Sequence, residues 1–113
     1  MKQGTIVLTH FPFSDLSASK RRPAIVISKN NEKNTDIIVA YISSKITGQI
    51  SETDYVLKTS HKDFTNSGLL KDSIIKLNKL VTVDKKLFTG ELGFVSKEIM
   101  EEILLRLKIV FGI

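Results

Sequence analysis

Apolar and polar positions divide this chain into strand-length runs followed by one late helix. From Gly4 to Phe11, Ile6, Val7, Leu8 and Phe11 suit a first strand that stops at the Pro12 turn. Ala24-Ile25-Val26-Ile27 is an unbroken apolar run entered through Pro23, whose missing N–H does least harm at the first position of a strand. A run without alternation predicts a strand covered on both faces. β-branched and aromatic residues dominate Asp36-Ile37-Ile38-Val39-Ala40-Tyr41-Ile42, which predicts a second central strand ending in Ser43-Ser44-Lys45. Weak alternation around Tyr55, Val56 and Leu57 predicts an edge strand within Thr53 to Thr59, and Ser60 to Gly68 reads as polar and irregular. Ser73 to Val83 has two apolar halves either side of Asn78-Lys79, which fits two strands or one strand bent at that polar pair. Gly90 and Gly93 read as turn punctuation.

After Ser96 the period changes. Ser96 is a good N-cap, Glu98 places an acid in the first turn, and Ile99, Met100, Ile103, Leu104, Leu107 and Val110 share one face of a helix starting at Lys97. Leu105 and Ile109 lie off that stripe among Glu98, Glu101 and Glu102. They read either as contacts with a second subunit or as scattered surface apolar residues. With five to seven strands in succession and no helix-length segment between them, the expected fold is mainly β. It is a small antiparallel barrel-like sheet carrying one C-terminal helix, in a single domain over residues 1–113.

Composition removes several functional classes. There is no cysteine, which excludes disulfides, thiol catalysis and cysteine-bound metals. No apolar run approaches the roughly 18 residues of a spanning helix, and no cleavage-site pattern follows the first apolar residues, so no membrane role is expected and cytoplasm is the default location. The 17 Lys and Arg against 12 Asp and Glu, a net charge of +5, favour polyanionic partners without requiring them.

Catalytic signatures are mostly missing: no glycine-rich phosphate loop, no GxSxG, no HExxH and no metal-ligand spacing. His10 and His61 are the only histidines and read more readily as structural than as acid–base groups. What remains is the loop His10 to Lys20, whose Ser14, Asp15, Ser17 and Ser19 favour turns, leading into Lys20-Arg21-Arg22-Pro23. If Arg22 to Ser28 and Asp36 to Ser43 pair as an antiparallel hairpin, Arg22 and Ser43 meet at one rim of the barrel. Arginine is too basic to activate serine at neutral pH. RNA brings its own nucleophile, the 2′-OH, so a cation with a fork of donors and a hydroxyl beside it suit RNA cleavage better than ordinary hydrolysis. The alternative is that Arg22 is an exposed residue after a basic loop and Ser43-Ser44 a strand end satisfied by turn bonds. Lys20, Arg21, Lys45 and Lys79 are candidate phosphate contacts or solvated cations, and Phe11 and Phe13 candidate base-stacking platforms or loop anchors.

GTIVL, FPFSD, KRRPAIVIS, IIVAYISS, GLLKDSIIKLNKLVTVDKKLFTGEL and the closing helix together give a sequence that resembles the MazF/PemK-like toxins of bacterial type II toxin–antitoxin systems. The resemblance covers nearly the whole chain. It implies an SH3-like, Kid/MazF-type barrel that forms a homodimer and binds single-stranded RNA in a groove between subunits. It further implies an mRNA interferase-like endoribonuclease that cuts at short motifs without metal or other cofactor, leaving 2′,3′-cyclic phosphate and 5′-OH ends. A cognate antitoxin would neutralise it, and the pair would bind DNA. Carried over by position, Arg22 matches the family's catalytic arginine and Ser43 the place of a catalytic threonine. The 10–20 loop matches a groove-lining segment, which assigns RNA contact to Phe13, Ser14, Lys20 and Arg21. Ser44, Lys45, Asn78 and Lys79 complete the implied RNA-binding set. Serine for threonine keeps the hydroxyl and loses the methyl that restricts its rotamer. Thr5 stands where many members carry an acid, and Asn78-Lys79 where some have an acidic and amide pair. A noncatalytic nucleic-acid- or protein-binding module, or an inactive homologue on the same barrel, is the competing expectation.

Overall fold

The computed structural model describes residues 1–10, 21–29, 33 and 35–113. Six strands follow in chain order: β1 (Thr5–Thr9), β2 (Arg22–Val26), β3 (Asp36–Ser43), β4 (Asp54–Leu57), β5 (Ser73–Asp84) and β6 (Gly90–Phe94), then the helix α1 (Lys97–Phe111). All pairs are antiparallel, in the order β4-β5-β3-β2-β1-β6, and the sheet curls into a half-barrel. The expected mainly β fold with one terminal helix is the fold observed, and β4 is an edge strand as its weak alternation predicted.

Both faces of the central strands are buried, which is why β2 reads as a continuous apolar run. Alternate side chains point to opposite faces. On the side covered by α1, Ile6, Ile25, Ala40, Ile42, Ile75 and Leu77 meet Ile99, Met100, Ile103 and Leu107 of the helix. On the other, Val7, Ala24, Val26, Ile37, Val39 and Val83 form a second cluster flanked by Met1, Tyr41, Val81 and Phe88. The helix starts where its cap predicts, with the Ser96 hydroxyl accepting the Ile99 N–H at 3.3 Å. Its packing stripe is narrower than the sequence pattern, however: Leu104 is 38% exposed, because the sheet face takes the Ile99-Ile103-Leu107 ridge with Met100 and Val110 beside it.

β5 is one bent strand. Ala40 pairs with Leu80 and Tyr41 with Lys76, so three residues, Leu77, Asn78 and Lys79, bulge opposite a single step of β3. Leu77 is buried in the core while Asn78 and Lys79 face solvent. Gly90 and Gly93 do not mark turns, as the sequence suggested, but lie within β6. Gly93 is needed for close approach instead, since a Cβ there would overlap the Asn66 carbonyl oxygen and the Ser67 carbonyl of the 3-10 turn Thr65–Ser67. Gly68, at φ +74, presses its Cα against the Leu92 carbonyl in the same way. The 58–72 segment is thereby held against the outer edge of β6. At the opposite edge, the Arg106 Nε–H donates to the Asp54 carbonyl of β4 at 3.0 Å, with the guanidinium over the Tyr55 ring and one Nη on Glu102. Both sheet edges carry cover of the kind that discourages strand addition. Among the described residues, no helix is long and apolar enough to cross a membrane.

Candidate functional site

A cleft of about 370 Å³ opens at one rim of the half-barrel, where β2 begins and β3 ends. Arg22 is the first residue of β2, and Thr9 pairs with it across β1. The β2–β3 register pairs Ala24 with Tyr41 and Val26 with Val39; continued two positions, it sets Arg22 opposite Ser43. By alternation both lie on the face of Ala24 and Tyr41, and both line the cleft. The hairpin that the sequence suggested therefore exists and brings this pair together.

Arg22 is half-buried, and its Nε has no hydrogen-bond partner among the described residues. The ion pairs among the described residues, Lys62–Glu98, Lys86–Asp84 and Arg106–Glu102, all lie elsewhere. Among the described residues, the cleft has no Asp, Glu or His in its lining. With no carboxylate beside it among the described residues, this partly desolvated permanent cation suits an anionic ligand, because a desolvated charge is costly until a counter-charge balances it. Ser43 Oγ accepts the Lys45 N–H at 3.1 Å, the turn bond expected of a bland strand end, yet its own proton remains available for donation. Ser44 lines the same cleft and Lys45 is exposed on the turn.

The other predicted positions are distributed less tightly. The β5 bulge carries Lys79, whose Nζ lies 5.7 Å from the centre of the Tyr41 ring, two residues before Ser43 on the same face. Asn78 is exposed beside it, and Arg21 is exposed just before β2. Neither lines the cleft. Phe13, Ser14 and Lys20, like Phe11, lie outside the described residues. His10 is exposed at the end of β1.

The far wall was not foreseen. Gly68, Leu69, Leu70, Lys71, Ser73 and Leu92 face the Arg22–Ser43 rim, with Leu70 92% exposed. Lys71 adds a second cation. The one sequence signal was a glycine followed by two leucines and a lysine just before a strand. Asp72 clamps the base of this wall: its carboxylate accepts the Thr59 N–H at 2.7 Å, and that bond holds it below the usual carboxylate range.

His61, Asp63 and Glu98 form a trio whose ligand atoms lie within 4.8 Å of one another. The His61 Nδ1 accepts the Asp63 N–H at 3.0 Å, which places the ring proton of a neutral imidazole on Nε2, and Lys62 already pairs with Glu98 at 3.4 Å. That donor set suits a clamp between the 58–72 segment and α1 better than a metal centre.

A family model described as PemK-like, MazF-like toxin of type II toxin–antitoxin systems matches residues 2–111. No curated protein matches the sequence. Among solved structures, the chain is similar to an endoribonuclease in complex with its cognate antitoxin from a mycobacterial species (TM-score 0.77, 16% identity, covering 100% of this chain and 96% of that one). It is also similar to the Mycobacterium tuberculosis toxin MazF-mt6 (0.71, 15%, 96% and 97%) and to MazF in a MazE–MazF complex from Deinococcus radiodurans (0.73, 16%, 100% and 96%). At these identities the likeness is one of fold.

Proposed function

Since the chain belongs to the PemK-like, MazF-like toxin family of type II toxin–antitoxin systems, we propose that it is a toxin endoribonuclease, acting as a single domain over residues 1–113 and neutralised by a cognate antitoxin. The observation that carries the reading is the half-buried Arg22, its Nε without a hydrogen-bond partner among the described residues, opposite Ser43 at the rim of a cleft. The structural neighbours that are endoribonucleases or toxin–antitoxin complexes support it.

The cleft supports a transesterification that needs no metal. The 2′-oxygen of single-stranded RNA attacks the adjacent phosphorus; the 2′-O–P bond forms, the P–O5′ bond breaks, and the 2′ proton is lost as the 5′-oxygen gains one. The products are a 2′,3′-cyclic phosphate and a 5′-hydroxyl. Arg22 neutralises charge on the phosphorane-like state through its fork of donors and assists protonation of the leaving oxygen. The Ser43 hydroxyl donates to a phosphate oxygen and fixes its position. Ser44, Lys45, Lys79, Arg21 and Asn78 extend RNA contact along the rim, joined by Phe13, Ser14 and Lys20 of the preceding loop. A homodimer would complete the groove, with Leu105 and Ile109, 52% and 46% exposed, among its contacts.

Incubating the protein with a long single-stranded RNA in EDTA tests this. We expect endonucleolytic cuts with 5′-hydroxyl ends, reduced in Arg22→Ala by about 2.7–4 kcal/mol of transition-state stabilisation, roughly 10²–10³-fold. Ser43→Ala should fall by a smaller factor. No cleavage by the unmodified chain, or equal cleavage by Arg22→Ala, overturns the assignment, and RNA binding without cleavage would move the protein to the class of binding modules.

A further inference from the structure

Two buried side-chain polar atoms lack a hydrogen-bond partner among the described residues, Thr9 Oγ1 and Arg22 Nε, and the β1–β2 register sets their residues directly opposite each other. Buried polar atoms are nearly always bonded, so two orphans on neighbouring strands call for a common explanation. Directly paired residues project from the same face of a sheet. Thr9 is only 1% exposed, so its hydroxyl is out of reach of substrate and influences the cleft through a neighbour or not at all.

Packing gives no reason for a hydroxyl at this position. Val7, on the same face of β1, belongs to an apolar cluster with Ala24 and Val26. Valine has the shape of threonine without the group to desolvate. Among the described residues the hydroxyl oxygen is an acceptor without a donor, Arg22 Nε–H is a donor without an acceptor, and the two do not bond each other.

We propose that Thr9 is a positioning residue for Arg22. When a phosphate draws the two Nη groups into the cleft, the guanidinium turns and its Nε–H closes onto Thr9 Oγ1. That bond fixes the plane of the guanidinium, and the four N–H donors of the Nη pair face the anion as a fork. The inference rests on Arg22 being the phosphate-binding group of the proposed reaction.

The test compares the unmodified chain with Thr9→Val and Thr9→Ser. Three quantities are followed: kcat and KM for RNA cleavage, the thermal midpoint, and the 15N–1H signal of the Arg22 Nε–H during titration with an oligonucleotide carrying a 2′-deoxy residue at the scissile position. Thr9→Val should lose about tenfold in kcat, the scale of one hydrogen bond to a charged group, with KM little changed and a thermal midpoint equal or higher. Thr9→Ser should keep most of kcat. The Nε–H should become protected from solvent exchange on binding in the unmodified chain and stay unprotected in Thr9→Val. An undiminished kcat in Thr9→Val, or a Thr9→Ser as impaired as Thr9→Val, overturns the proposal. If the unmodified chain cleaves no RNA, the functional assignment fails by itself, and titration with inorganic phosphate still decides the role of Thr9. Protection of Nε–H that requires the hydroxyl supports the role; protection without it, or none at saturating phosphate, removes it.

Discussion

Two side chains outside the cleft link its far wall and its sheet edge to pH. Asp72 is held below its ordinary 3.8 first by the Thr59 N–H that it accepts. A depressed folded value means that its contribution is present above the ordinary pKa and disappears as pH falls through the folded one. Tyr55 is displaced the other way, above 10.0, first by burial and then by Glu102, with Arg106 opposing. A raised folded value means that the neutral phenol's contribution is complete below 10.0 and lost as pH climbs through the folded pKa. Unfolding midpoints measured across pH should therefore show Asp72→Asn less stable than the unmodified chain at neutral pH, with the gap closing below pH 3.8, and Tyr55→Phe flattening the alkaline limb above 10.0. Parallel curves at either end would break the corresponding link. The Arg22–Ser43 pair was legible from sequence because a proline fixes where β2 begins and short-range antiparallel pairing fixes what stands opposite. Thr9 was not legible, since only the register sets it opposite Arg22.

At the scale of elements, the half-barrel depends on a contact between backbones. The 3-10 turn at Thr65–Ser67 lies on β6 because Gly93 and Gly68 have no side chains to keep them apart. Gly93→Ala should destabilise the fold by about 3 kcal/mol, the upper range for overpacking, because the obstructing atoms are backbone and cannot rotate away. Leu92 and Leu69 shift with that contact, so cleavage should fall as well; denaturant unfolding and the RNA assay read the two effects. An alanine variant with an unchanged midpoint would mean that the segment is not held there. This arrangement explains two misreadings. Glycine in a strand looks like a turn when the reason for Gly93 lies 26 and 27 residues upstream, at Ser67 and Asn66, and a polar segment with no period gives no sign that it forms a wall. Strands with β-branched runs, and a helix with both cap and stripe, carry their own signal, so β2, β3 and α1 were readable. Leu104 was misplaced because the sequence shows an apolar stripe's width but not how much of it the sheet covers.

For the whole molecule, an excess of five positive charges matters through where the cations stand. Lys45 and Lys79 flank the end of β3 from the turn and from the bulge. If both meet phosphates, the Lys45→Ala, Lys79→Ala double variant should flatten the plot of log binding constant against log salt by about 1.4, from roughly 0.7 per contact on a single strand. An unchanged slope measured by fluorescence anisotropy would remove them from the interface. The bulge that presents Lys79 has a wider effect. Residues 74–76 and 80–84 pair with β3 in two separate registers, and three residues of slack lie between them. A change of chain length inside a regular strand turns every later side chain to the wrong face. At Asn78-Lys79 the slack absorbs it, leaving Ile75 in the core and Val81 and Val83 on the opposite cluster. The rim next to the cleft can thus gain or lose a residue over generations while the sheet beneath it stays the same, which makes the bulge a natural place for relatives on this fold to diverge in what they recognise.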